Sequence, residues 1–139
     1  PLTDQGRLDI QRFGIKLADL EPELASNKII LLSSPSKRTK ETTQLLLSGL
    51  YKLDISVNYI EDGYLADPAT WIKNIENISS ETPTCIVVGH NPGISDLITI
   101  LSGSQITMTP GACVAMELLI NDWDEVFEGT GNVLSAYRP

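Results

Sequence analysis

His90 is the lone histidine in 139 residues, and it stands in Val87-Val88-Gly89-His90-Asn91-Pro92-Gly93, where an apolar strand gives way to a helix. Two readings of such an imidazole compete: a core histidine bonded to a backbone carbonyl, and a group set to meet a ligand. Gly89 and Gly93 let the backbone come close to a ligand, and Asn91-Pro92 fixes a sharp turn into a helix start, which favours the second. Arg38, in Ser34-Pro35-Ser36-Lys37-Arg38, falls in the first turn of another expected helix, where the dipole disfavours a cation. Its position asks for an anionic partner, and a phosphate is complementary both to a guanidinium and to the N–H groups of a helix start. The simpler alternative is a solvated arginine near Glu41. A cation and an imidazole facing each other across a small pocket would stabilise the equatorial oxygens of a transferring phosphoryl group.

The elements that must position these groups follow from patterning. Thr3 can cap a first helix with Asp4 in its first turn, and Leu8, Phe13, Ile15 and Leu17 supply a buried side up to about Leu20. After Pro22, Lys28-Ile29-Ile30-Leu31-Leu32 reads as a strand apolar on both faces, as in a parallel sheet covered by helices. From Lys37 to about Tyr51 the pattern is helical, with Thr42, Leu45, Leu46 and Leu50 inward and Gly49 weakening its end. Ile55 to Ile60 alternates as a strand. Asp67 caps a helix with Pro68 at its first position and Trp71, Ile72, Ile75 and Ile78 on its apolar side. Thr84 to Val88 is a second all-apolar strand, followed by a helix from Pro92 to about Leu101 with Ile94, Leu97, Ile98 and Leu101 inward. Val114 to Ile120 and Val133 to Tyr137 read as two strands joined by an acidic loop with Gly129 and Gly131 as turn residues.

This alternation implies an α/β sandwich, a mostly parallel sheet with helices on both faces and right-handed crossovers. Ligands gather beyond the carboxyl ends of the strands in such sheets. The segments carrying Arg38 and His90 both lie there.

Composition bounds the partners. A chain of this length with 42% hydrophobic residues fits one domain, spanning 1–139, that buries roughly two thirds of its unfolded surface. No apolar run approaches the roughly 20 residues of a membrane span, and the first residues lack a starting Met and a signal-peptide pattern. The net charge of −8 disfavours nucleic acid and anionic membrane as partners, while the local cluster Lys37, Arg38, Lys40 leaves room for one small anion site. Cys85 and Cys113 have no metal-ligand or redox spacing and read as small core residues of a cytosolic protein. Asn77-Ile78-Ser79 matches a glycosylation sequon and is read as ordinary helix surface. Trp71, Trp123, Met108 and Met116 read as packing residues. No phosphate-cradling glycine loop marks a nucleotide site, no metal or other cofactor is expected, and a monomer is the default.

Ser34-Pro35-Ser36-Lys37-Arg38-Thr39-Lys40-Glu41-Thr42 resembles the S-P-x-x-R-x-x-x-T motif of the histidine phosphatase superfamily, and Val88-Gly89-His90-Asn91-Pro92-Gly93 resembles its distal-histidine motif. Pro1-Leu2-Thr3-Asp4-Gln5-Gly6-Arg7 is similar to the P-L-T-x-x-G segment of the SixA-like phosphohistidine phosphatase branch, which Tyr64-Leu65-Ala66-Asp67-Pro68 also suits. The resemblance implies a phosphoglycerate mutase-like three-layer α/β/α sandwich and a metal-independent cytoplasmic phosphatase working through a phosphohistidine intermediate. Its substrate would be phosphohistidine in a signalling protein. Arg38 would clamp phosphate, His90 would bind and stabilise the transferring phosphoryl group, and the Asn91 backbone N–H would add a bond. The nucleophile of this family lies in an R-H motif at the end of a first strand, upstream of the segment matching Pro1. The resemblance therefore implies that this strand, its arginine and the nucleophilic histidine precede residue 1, and that the chain as written is inactive. Larger members of the family supply a carboxylate as general acid. Glu61 and Asp62 stand at a strand end suited to that role, and a solvated loop is the alternative for both. Two other functions stay open: a phosphatase for small phosphate esters, and a noncatalytic phosphate-binding or protein-interaction domain of the same fold.

Overall fold

The three strands that frame the candidate site run side by side and end level. In the computed structural model, which describes residues 3–20, 28–63, 66–109 and 111–138, β1 (Ile29–Ser33) pairs in parallel with β2 (Ile55–Tyr59) and with β3 (Thr84–Val88), giving the order β2-β1-β3. Ser33 aligns with Tyr59 on one side and Val88 on the other. Along β1, Ile29 and Leu31 enter the core on one face and Ile30 and Leu32 the core on the other, the period-two alternation of a strand covered on both sides.

Helices α1 (Asp4–Leu20) and α2 (Lys37–Gly49) cover the first face, with Leu17, Leu46 and Leu50 buried against Ile29 and Leu31. Helices α3 (Pro68–Glu76) and α4 (Gly93–Ser102) cover the second, where Trp71, Ile75, Ile94, Leu97, Ile98 and Leu101 pack with Leu32. This is the expected three-layer α/β/α arrangement. The helix starts are capped as their residue types dictate: Thr3 Oγ1 accepts from Gly6 N–H at 3.0 Å, Ser36 Oγ from Thr39 N–H at 3.3 Å, and Asp67 Oδ1 from Thr70 N–H at 2.9 Å. The bonds from Thr70 hold the Asp67 carboxyl below the usual carboxylate range.

Several expectations need correction. On α1 the inward stripe is Ile10, Phe13, Gly14 and Leu17, spaced three and four apart, while Leu8 and Ile15 are exposed. On α2 the buried set is Thr39, Thr43, Leu46 and Gly49, and Thr42 and Leu45 are half-buried at its edges. Gly49 is the last residue of α2, in line with the expected weak end, and it has a second use. A Cβ there would fall 2.6 Å from Ile15 N, and one on Gly14 would fall 2.6 Å from Leu46 O, so two facing glycines let the α1 and α2 backbones touch. Pro22, Tyr64 and Leu65, with Pro1 and Leu2, lie outside the described residues.

The last two strands, β4 (Cys113–Leu118) and β5 (Gly131–Tyr137), form an antiparallel hairpin with a register shift between Ala115 and Met116. Among the described residues β3 pairs with β1 alone and β4 with β5 alone, so the sheet comes in two parts. A groove of about 660 Å³ is lined by both β3 and β4, including Cys85, Val87, Val114 and Met116, with Leu97 and Leu101 of α4. Cys85 and Cys113 are half-buried on its walls, and Cys85 packs against the core of the second face. No helix among the described residues is long and apolar enough to cross a membrane.

Candidate functional site

The turn that leaves β1 is built from hydroxyls. Thr43 Oγ1 donates to Ser33 Oγ at 3.0 Å, Ser33 Oγ donates to the Ser34 carbonyl at 2.9 Å, and Thr39 Oγ1 donates to that carbonyl at 2.8 Å. Ser33, Ser34, Thr39 and Thr43 are all buried, and each hydroxyl of Ser33, Thr39 and Thr43 has a partner, which a buried polar group requires. Ser34 N–H donates to the Val88 carbonyl at 3.0 Å, tying the end of β1 to the end of β3. Residues 33–36 are thereby fixed beside the loop that carries His90.

That loop is shaped by close contacts with Trp71 and Ala66. A Cβ on Gly89 would fall 2.6 Å from Trp71 Cζ2, and one on Gly93 would fall 2.1 Å from the Ala66 carbonyl oxygen. A Cβ is excluded at both places by the protein's own core and backbone, whereas the sequence reading gave both glycines to the close approach of a ligand. Asn91-Pro92 is a cis peptide. The Asn91 side chain is committed locally: Oδ1 accepts from Ser95 Oγ at 2.8 Å, and Nδ2 donates to the Met108 carbonyl at 2.6 Å. Ile94 N–H donates to the His90 carbonyl at 3.0 Å, which ties the histidine to the first turn of α4.

His90 is half-buried, and its Nε2 lies 3.0 Å from Ser36 Oγ across 54 positions of sequence. The first turn of α2 and the histidine loop are therefore in contact at the carboxyl ends of β1 and β3. Arg38, two residues beyond Ser36, is exposed at the start of α2. A helix start, a guanidinium carried on its first turn and an imidazole beside it are groups suited to binding an anion. Lys40 reaches back over the Tyr59 ring, 5.3 Å from its centroid, at the end of β2. Glu61 and Asp62 form an exposed one-turn helix after β2, anchored by Ile60 N–H donating to the Ser33 carbonyl at 2.9 Å. They share the strand-end rim with the other groups. Among the described residues no cluster of His, Cys, Asp and Glu could hold a metal ion.

The sequence reading did not single out Ser36, Thr39 or Arg7. Ser36 and Thr39 were legible as a cap and its third helical residue, S-x-x-T, but nothing in the sequence tied that cap to His90. Arg7 of α1 reaches Glu41 of α2 at 3.4 Å and Asp4 at 3.1 Å, which holds the start of α1 against the first turns of α2.

No family model matches the chain. Two curated relatives do: an uncharacterized protein of Mycobacterium leprae (strain TN), 42% identical over 74 residues, covering 53% of this chain and 43% of the relative, and an uncharacterized chloroplastic protein of Arabidopsis thaliana, 28% identical over 141 residues, covering 94% of this chain and 62% of the relative. The chain thus spans less than two thirds of the length of either relative. Among solved structures, the phosphohistidine phosphatase SixA structure from Nakamurella multipartitia superposes with a TM-score of 0.82 at 15% identity, over 100% of this chain and 84% of that one. The SixA structure from Agrobacterium tumefaciens gives 0.76 at 18% identity, over 99% and 82%. A protein histidine phosphatase SixA complexed with tungstate gives 0.75 at 19% identity, over 98% and 82%. The chain has a SixA-like histidine phosphatase fold.

Proposed function

We propose that this chain, with its SixA-like fold, forms most of the catalytic domain of a phosphohistidine phosphatase that acts on a phosphorylated protein in the cytoplasm. The observation that carries the reading is the meeting of Ser36 and His90, which sets the Arg38 helix start and the lone imidazole around one point at the strand ends. Arg38 grips phosphoryl oxygens through its fork of N–H groups, the Asn91 backbone N–H adds a bond, and His90 donates to the group in transfer. Glu61 is the candidate for carrying a proton to or from the leaving group. A histidine leaving group needs little such help, since protonated imidazole departs readily.

The nucleophile on this reading is a histidine upstream of residue 1, on a strand that occupies the groove between β3 and β4. Two observations support it. The groove lies between two strands that each have one unpaired edge among the described residues, a state that invites strand addition. Also, α1 starts beside the first turns of α2, at the carboxyl end of β1. A strand leading directly into α1 therefore runs parallel to β1 and β3 and ends close to His90. In the reaction the phosphorus–nitrogen bond to the substrate imidazole breaks as one to the upstream histidine forms, and water then releases phosphate from the enzyme.

The test uses the natural full-length polypeptide. Its amino-terminal sequence is determined, and it is incubated with a radiolabelled phosphohistidine protein. An upstream histidine, release of phosphate, an acid-labile phosphoenzyme lost when that upstream histidine is replaced, and slower turnover in H90Q are the expected results. Phosphate binding with no phosphoenzyme and no turnover would overturn the enzyme reading and leave a phosphate-binding domain. Turnover of sugar phosphates alone would replace the substrate.

A further inference from the structure

The hydroxyls around Ser36 bear on which nitrogen of His90 carries its proton. Thr39 has one hydroxyl hydrogen, and its Oγ1 lies 2.8 Å from the Ser34 carbonyl and 3.1 Å from the Ser36 carbonyl. Carbonyls only accept, so both draw on that hydrogen, and the Ser34 carbonyl, the nearer of the two, is taken as its acceptor. Thr39 Oγ1 is also 2.7 Å from Ser36 Oγ, and with its own hydrogen engaged it can take part in that contact only as acceptor. Ser36 Oγ–H is therefore the donor. Ser36 Oγ is left with lone pairs alone, one facing Thr39 N–H at 3.3 Å and one facing His90 Nε2 at 3.0 Å. A lone pair opposite Nε2 requires a hydrogen on Nε2.

We infer that Ser36 is a positioning residue, held by Thr39 as an acceptor so that neutral His90 keeps its proton on Nε2 and aims it at the point where an anion's oxygen docks. The relay runs from the Ser34 carbonyl through Thr39 and Ser36 to the imidazole. It joins the buried hydroxyl turn after β1 to the histidine loop after β3. An incoming phosphoryl oxygen then replaces Ser36 Oγ as acceptor, and the imidazole need not change tautomer as it does so. Thr39 gains a role beyond packing: it orients the Ser36 hydroxyl away from the imidazole. The assignment of the relay is independent of any reaction, whereas its use in phosphoryl transfer rests on the function proposed above.

The experiment is long-range proton–nitrogen correlation spectroscopy of isotope-labelled full-length protein at a pH where the imidazole is neutral, with H90Q identifying the signal. The wild type is expected as the Nε2–H tautomer. S36G removes the hydroxyl at a cap position that tolerates glycine, and should turn a dominant tautomer into a mixture. T39V frees the Ser36 hydrogen to point at the imidazole and should shift the population toward Nδ1–H. S36T, which keeps the oxygen, should restore the wild-type pattern. A wild-type Nδ1–H tautomer, or one unmoved by both S36G and T39V, would overturn the inference. In the same proteins S36G should lower kcat/KM by roughly tenfold, the size of one lost hydrogen bond, with S36T near wild type. Tautomer shifts without any turnover in the wild type would leave the relay standing and remove the phosphatase reading.

Discussion

Trp71 lies directly under Gly89, so close that a Cβ on that glycine would fall 2.6 Å from indole Cζ2. The indole is 1% exposed and belongs to the core shared by α3, α4 and β1. The histidine loop thus rests on the hydrophobic core through a contact with no slack, and the height of His90 above the strand ends is set by a side chain 19 positions earlier in sequence.

Gly89→Ala should therefore act on the site through the core. The added methyl meets Trp71 and Ile94 Cδ1 at 2.9 Å, and overpacking of this kind costs about 1–3 kcal/mol. Chemical denaturation should show that loss, and a change in tryptophan fluorescence should accompany weaker binding of inorganic phosphate. Unchanged stability and fluorescence would mean that the loop moves without disturbing Trp71.

Arg38→Ala should behave in the opposite way. The side chain is exposed at a helix start, so stability should stay within about 0.5 kcal/mol of the parent. Affinity for phosphate or tungstate should fall about tenfold or more with loss of the bidentate donor, and Arg38→Lys should recover part of it. Equal affinity in all three proteins, measured by calorimetry, would remove Arg38 from the anion site.

Gly49→Ala tests the helix crossing. Its Cβ would lie 2.6 Å from Ile15 N and 2.8 Å from the Gln11 carbonyl, both backbone atoms that cannot rotate away. A loss of about 1–3 kcal/mol is expected despite alanine's better helix propensity, so the crossing outweighs the gain of about 1 kcal/mol that propensity alone would give. A thermal melt showing stabilisation would mean the two helices can separate at no cost.

Cys85 gives the pH prediction. Burial pushes its thiol up from an ordinary 9.0 to about 12. Below the unfolded value both states are protonated and the thiol has no effect. Above it the unfolded chain releases a proton that the folded chain keeps, so stability falls with rising pH by up to about 1.4 kcal/mol per unit until the folded value is reached. The difference between wild type and Cys85→Ala in denaturation at alkaline pH should show this slope. Alkylation of Cys85 at neutral pH should be slow.

The strands at Ile29–Ser33 and Thr84–Val88, the Asp67-Pro68 helix start and the inward set Ile94, Leu97, Ile98 and Leu101 were all legible in the sequence. Each is a local matter of periodicity or capping, and it survives in the fold because the core agrees with it. The placing of the segments that carry Arg38 and His90 at neighbouring strand ends was legible too, through strand-then-helix order and motif. What the sequence left undecided is everything that depends on two distant segments touching. The inward stripe of α1 runs through Ile10, Phe13, Gly14 and Leu17 because Gly14 must meet Gly49, a constraint that α1's own hydrophobicity does not carry. The partner of Gly89 belongs to the same class. So does the capture of His90 by a helix cap at Ser36, since a hydrogen bond across 54 positions is specified only once β1 and β3 lie side by side.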